Sequence, residues 1–165
     1  MSGKPPSKAA WRQRTFRQNL RLLLINVYPP FLGAGIRIRR PDPRTFEVTL
    51  KLRWWNQNYV GTQFGGALYT MCDPFYMLLL LEDLGRDYIV WDKAAEIRFL
   101  RPGRGTVRAR FQIPEVRVEE IRAQADAQDK VEPRFTVDVL DEEGKAVARV
   151  EKLLYVRKKE MRSPG

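Results

Sequence analysis

Asp73 is a carboxylate inside the most apolar stretch of the chain, Gly65 to Gly85. The next acid in the stretch is Glu82, nine residues on, and a carboxylate in such surroundings is costly without a partner, which points to a functional group, either a general base or a nucleophile. Asp73 also precedes Pro74, and so reads equally as an N-cap with proline at N1, restarting a broken helix. Upstream, Gly65-Gly66 opens the apolar stretch. Unpaired N–H groups at a helix start favour negative charge, and residues without a Cβ let a ligand approach the backbone. Paired glycines mark turns or close packing just as well. Asn58 stands in the polar, aromatic loop Arg53 to Phe64, where it could orient a water or a carbonyl, or simply shape a turn. Arg101 and Arg104 flank Pro102-Gly103; they could hold phosphate groups or belong to a solvated hairpin. Asp92-Lys93 reads as an ion pair beside a site or as a surface pair. Trp54, Trp55 and Trp91 could line an apolar tunnel or fill core.

What is missing narrows the chemistry further. The chain has no histidine and one cysteine, Cys72. Ser-His-Asp and Cys-His machinery, histidine-ligated zinc and any histidine base are excluded. The remaining groups are carboxylates, lysines, amides, hydroxyls and backbone dipoles, with no metal and no redox cofactor expected. A single cysteine forms no internal disulfide and fits a reducing cytoplasm. The longest apolar run, Met77 to Leu81, is far short of the ~20 residues of a membrane span.

The charge is unevenly placed. The net charge is +10, and nine basic residues precede the first acid, Asp42: Lys4, Lys8, Arg12, Arg14, Arg17, Arg21, Arg37, Arg39 and Arg40. Such an arm could bind nucleic acid or an acidic membrane surface, could be a transit peptide, or could be the solvated face of a docked helix. Phe16, Leu20, Leu23, Leu24 and Val27 recur at helical spacing, and Leu22 to Ile25 needs burial. A docked helix is therefore expected, and a secretory signal is not.

Pro29-Pro30 closes that helix. An extended stretch, Ile36 to Arg40, precedes the strictly alternating strand Phe46 to Leu52. Gly65 to Gly85 then reads as one long helix, buried on all sides, with a bend or an unpaired Thr70 carbonyl at Pro74. Beyond it, Ile89, Trp91, Ala95, Ile97 and Phe99 are expected on one face of a long strand. Val107 to Ile113 forms the next. A short exposed helix spans Val116 to Gln128. Two last strands, Phe135 to Val139 and Ala146 to Val156, join at the hairpin Asp141 to Gly144.

Antiparallel strands around one apolar helix form an α+β arrangement. This order resembles the hotdog fold, in which a curved antiparallel sheet wraps one long central helix, here with an extra N-terminal helix. The run Asn58, Gly61, Phe64-Gly65-Gly66 and Asp73 is similar to a motif of phenylacetate-type hotdog thioesterases: asparagine, glycine three residues on, His-Gly-Gly, then a helix aspartate. Phe64 occupies the histidine position, and Asp92 stands where relatives often carry serine or threonine. The resemblance spans roughly residues 30 to 157 and is nearest an uncharacterised branch of that superfamily.

The resemblance implies an organisation and a chemistry. Residues 1–28 would be a basic helical arm, 29–157 the hotdog domain and 158–165 a basic tail. The substrate would be an acyl-CoA-like thioester, with Asp73, Asn58 and Gly65 catalytic and Gly66, Phe64, Trp91, Asp92, Arg101 and Arg104 binding it. Asp73 lies eight residues beyond Gly65, too far along a helix to share its site. In the family the aspartate comes from the partner subunit, which implies a homodimer or homotetramer. The alternative is a non-catalytic module that binds acyl groups or coenzyme A, or a structural one. Nucleic acid or a membrane surface is the weaker partner.

Overall fold

A computed structural model describes Leu20 and residues 22–159. Alternating segments become strands β1 (Ile36–Asp42), β2 (Thr45–Lys51), β3 (Tyr88–Phe99), β4 (Thr106–Gln112), β5 (Arg134–Leu140) and β6 (Ala146–Lys158). They form one antiparallel sheet in the order β1-β2-β4-β5-β6-β3. Helical segments are α1 (residues 22–27), α2 (Pro29–Ala34), α3 (Gly65–Thr70), α4 (Phe75–Leu84) and α5 (Glu115–Ala127). The arrangement is the hotdog fold expected above.

The core follows from the period-2 pattern. Phe46, Val48 and Leu50 of β2 are buried, and their register partners Phe111, Ala109 and Val107 of β4 are buried beside them. Against this floor lies the central helical layer, α3 and α4, contributing Leu68, Met71, Phe75, Leu79 and Leu80. Phe75 is fully buried, with ring centroids of Phe46 and Phe111 at 5.2 and 4.9 Å.

The central helix breaks as Pro74 requires. Cys72 and Asp73 donate their N–H groups to Tyr69 and Thr70 carbonyls, so Thr70 is not left unpaired. A new helix starts after Pro74, whose carbonyl accepts from Leu78. At the far end Gly85 takes φ 88°, a conformation open to glycine, and Arg122 of α5 donates to the terminal carbonyls of Asp83 and Leu84.

Three expectations change in detail. Pro29-Pro30 ends α1 but also opens α2, because prolines fit the first turn where N–H groups have no acceptor. The long strand β3 does not keep one face. A bulge between Asp92 and Ala94 shifts the register with β6. Ile89 and Trp91 therefore face away from the core, whereas Ala95, Ile97 and Phe99 lie opposite Lys152, Val150 and Ala148 on the inner side. Finally, α5 is not merely exposed: Val118, Ile121 and Ala125 are buried.

Candidate functional site

The loop before α3 is built by amides. Asn58 Oδ1 accepts the N–H groups of Val60 and Thr62 at 3.1 and 3.0 Å, and its Nδ2 donates to Thr62 Oγ1 at 2.8 Å. Gln63, buried, donates from Nε2 to the Leu50 and Gly105 carbonyls, while its Oε1 is buried without a partner among the described residues. These bonds fix where α3 begins. Phe64 is its N-cap and offers no side-chain acceptor, so the first N–H groups of α3 are not capped from within.

The two glycines are closely covered. A Cβ on Gly65 would meet Phe99 Cζ at 3.0 Å, and one on Gly66 would overlap the Phe64 ring. Gly65, Asn58, Arg101, Phe99 and Leu100 share a cleft of about 540 Å³. Gly66 and Phe64 line a second, of about 350 Å³, with Trp55 and Thr70. Five of the nine expected residues thus line two hollows, Asn58, Gly65 and Arg101 in one and Phe64 and Gly66 in the other.

Asp73 belongs to neither. Its Oδ1 accepts from Tyr69 OH at 3.0 Å and from Lys152 Nζ at 2.9 Å. Its Oδ2 has no partner among the described residues, and the side chain is 48% exposed. The N-cap of α4 is Pro74, with no side-chain cap, so Asp73 does not cap that helix. Lys152, whose side chain is wholly buried, also reaches Asp92 Oδ2 at 3.3 Å. Asp92 Oδ1 is buried and unpartnered among the described residues. Lys93 pairs with Glu132 instead, so Asp92-Lys93 is not an ion pair.

Charge in this cluster is unevenly tolerated. Burial opposes the Lys152 ammonium, but the Asp73 hydrogen bond and the charges of Asp92 and Asp73 outweigh it and raise its pKa. Burial raises the Asp92 pKa, which the Lys152 charge only partly offsets. The adjacent Cys72 thiol is pushed up to about 12 by burial and is no nucleophile at neutral pH. The Asp73 side chain is anchored through Oδ1, with Oδ2 presented outward.

Trp91 lies apart from this cluster, stacked on Tyr155 with centroids 4.2 Å apart on the opposite face of the sheet. Arg104 is exposed in the β3–β4 connection. Lys152 and Tyr69 were missed by sequence reasoning. Both carry a local signal: Lys152 interrupts the apolar inward register Val150, Leu154, Val156, and Tyr69 stands one helical turn before Asp73.

A family model described as "Domain of unknown function (DUF4442)" matches residues 17–156. The chain belongs to this family. No curated protein matches this DUF4442 chain in sequence. Among solved structures, its fold is similar to a "probable thioesterase" of unknown function from Pseudomonas aeruginosa, with TM-score 0.77 and 23% identity over 86% of this chain and 96% of that one. A thioesterase from Haemophilus influenzae matches with TM-score 0.61 and 19% identity over 88% and 94%. The PaaI protein of the phenylacetic acid degradation operon of E. coli matches with TM-score 0.59 and 19% identity over 87% and 92%. At these identities the likeness establishes the hotdog fold of the DUF4442 chain.

Proposed function

We propose that this DUF4442 protein hydrolyses an acyl-CoA-like thioester, with Asp73 as base or nucleophile. The observation that carries this reading is the state of Asp73. At the break between α3 and α4, Asp73 is held by the wholly buried Lys152 and by Tyr69 through Oδ1, which leaves Oδ2 outward. As base, Asp73 takes a proton from water while the water oxygen bonds to the thioester carbon. The resulting oxyanion sits against the uncapped N–H groups at Gly65. Its collapse breaks the C–S bond, and the departing thiolate takes up the proton.

A continuous helix would set Asp73 about 12 Å from Gly65 along its axis, from the rise per residue. The scheme therefore uses Gly65 and Asn58 of one subunit with Asp73 of another, in a cytoplasmic homodimer or homotetramer. The unpaired edge of β3, with exposed Trp91, Phe99 and Leu100 at hand, supports such pairing. In this scheme Asn58 acts by setting the loop that presents Gly65, and Arg101, which lines the same cleft, supplies a cation for the carrier's phosphates.

A second reading rests on Phe64. Its ring, in place of an imidazole, covers Gly66 and gives the hollow an apolar wall suited to holding an acyl group without cleaving it. Thiol release from acyl-CoAs of graded chain length separates the two. Hydrolysis that falls ~100-fold in Asp73→Asn supports catalysis. Acyl-CoA binding by calorimetry without thiol release supports the binding module.

A further inference from the structure

Helix α1 docks in an unexpected orientation. Leu22 and Ile25 pack on the core, and Asn26 locks the helix to β1: its Oδ1 accepts from Ile38 N–H and its Nδ2 donates to Ile38 O, both at 3.0 Å. The helix therefore cannot roll. Its long apolar stripe consequently faces outward, with Leu20, Leu23, Leu24 and Val27 exposed by 46, 59, 57 and 51%. Tyr28 and Leu32 of the α1–α2 corner continue it at 54 and 51%. So ordered a stripe, at spacing i, i+3, i+4, i+7, is an interaction surface rather than scattered exposure.

At Leu32 the stripe meets a cationic cleft of about 950 Å³ on β1, β2 and β4. Arg37, Arg39, Lys51, Arg53 and Arg108 line it, and none has a carboxylate partner among the described residues. The one acid in the cleft, Glu47, pairs with Arg110. Some cations elsewhere on the sheet are matched, as in Arg149–Asp138 and Arg98–Glu96, but unmatched ones, Arg134 and Arg157 among them, stand apart from this cleft, where five line one surface. In sequence, Lys4, Lys8, Arg12, Arg14 and Arg17 precede the stripe with no acid among them.

The occupant must satisfy both chemistries. Nucleic acid would neutralise the arginines but leave the leucines wet. A second copy, pairing through the same patch about a two-fold axis, would cover the leucines but bring like charges together. An anionic lipid surface accepts apolar side chains at its acyl boundary and basic ones at its headgroups. We propose that α1, the α1–α2 corner and the cationic face of β1, β2 and β4 bind an anionic bilayer peripherally, with α1 lying in the interface. Among the described residues no helix is long and apolar enough to cross a membrane, which agrees with attachment in the plane.

Cosedimentation of the full chain with phosphatidylcholine vesicles, with and without phosphatidylglycerol, tests this independently of any hydrolysis. The expected result is binding that requires phosphatidylglycerol and weakens with salt. Arg37→Gln/Arg39→Gln should lower partitioning ~30-fold, and Leu23→Ser/Leu24→Ser at least ~10-fold, with melting temperatures unchanged because all four side chains are exposed. Absence of binding to anionic vesicles at low salt overturns the proposal, as does equal binding to neutral ones. So does a leucine variant that keeps full vesicle binding, or one that changes the particle mass in light scattering, which would assign the stripe to a second copy. Salt-sensitive retention on single-stranded DNA in place of vesicle binding would assign the cleft to nucleic acid.

Discussion

Lys152 Nζ lies 2.9 Å from Asp73 Oδ1, with the lysine side chain wholly buried and the aspartate half exposed. The pair joins β6 to the break between α3 and α4, and Asp92 of β3 approaches the same ammonium at 3.3 Å. Two carboxylates thus converge on one cation.

Removing that cation should cost stability. Lys152→Met takes the shared cation from Asp73 and Asp92; because Asp73 is half exposed and solvated, the loss should stay below the ~3–5 kcal/mol of breaking a fully buried pair. Urea denaturation should show the loss. Asp92→Asn added to Lys152→Met should recover part of it, and strictly additive single changes would show that the three groups are uncoupled.

The pH dependence of Asp92 has a definite sign. Its pKa is raised, chiefly by burial, so the folded chain holds this proton more tightly than the unfolded chain. Its ionisation therefore costs stability above the folded pKa and nothing below the unfolded one. Asp92→Asn should melt higher than the parent at neutral pH. The advantage should fade as pH falls through the carboxylate range. A constant difference at every pH would rule this cause out.

Asn58→Ala tests the loop. It strands the buried Thr62 N–H and hydroxyl, at ~1–3 kcal/mol for groups left unsatisfied, and returns the exposed Val60 N–H to water. Thioester hydrolysis should fall together with stability, since Gly65 loses its fixed position. Unchanged stability would show that water replaces these bonds freely.

Gly66→Ala separates site from scaffold. The new methyl would overlap the ring of Phe64, which is 55% exposed and can swing aside. Stability should change by less than ~1 kcal/mol. Acyl-CoA affinity should drop as the displaced ring enters the hollow, and Phe64→Ala in the same chain should restore it. An affinity unaffected by either change would remove this hollow from the acyl site.

The catalytic scheme stands on self-association. Light scattering should give a dimer or a larger even assembly at micromolar concentration. A monomer would leave Asp73 and Gly65 on separate parts of one subunit, and the scheme would fail.

Much of the fold was legible because its signals are local. Alternation in Phe46 to Leu52 and Val107 to Ile113 records which face is wet, and Pro74 and Gly85 mark breaks by their own backbone limits. The absence of histidine likewise excluded whole classes of chemistry without a coordinate. The partner of Asp73 was not legible. It stands 79 residues away on β6, and the two meet where the break between α3 and α4 lies over that strand, which only the assembled sheet decides. The same holds for α1: its apolar spacing announced a helix, but which side docks depended on Asn26 finding the backbone of Ile38, twelve residues on. Periodicity states that a face is apolar; only the surrounding structure decides whether that face is covered.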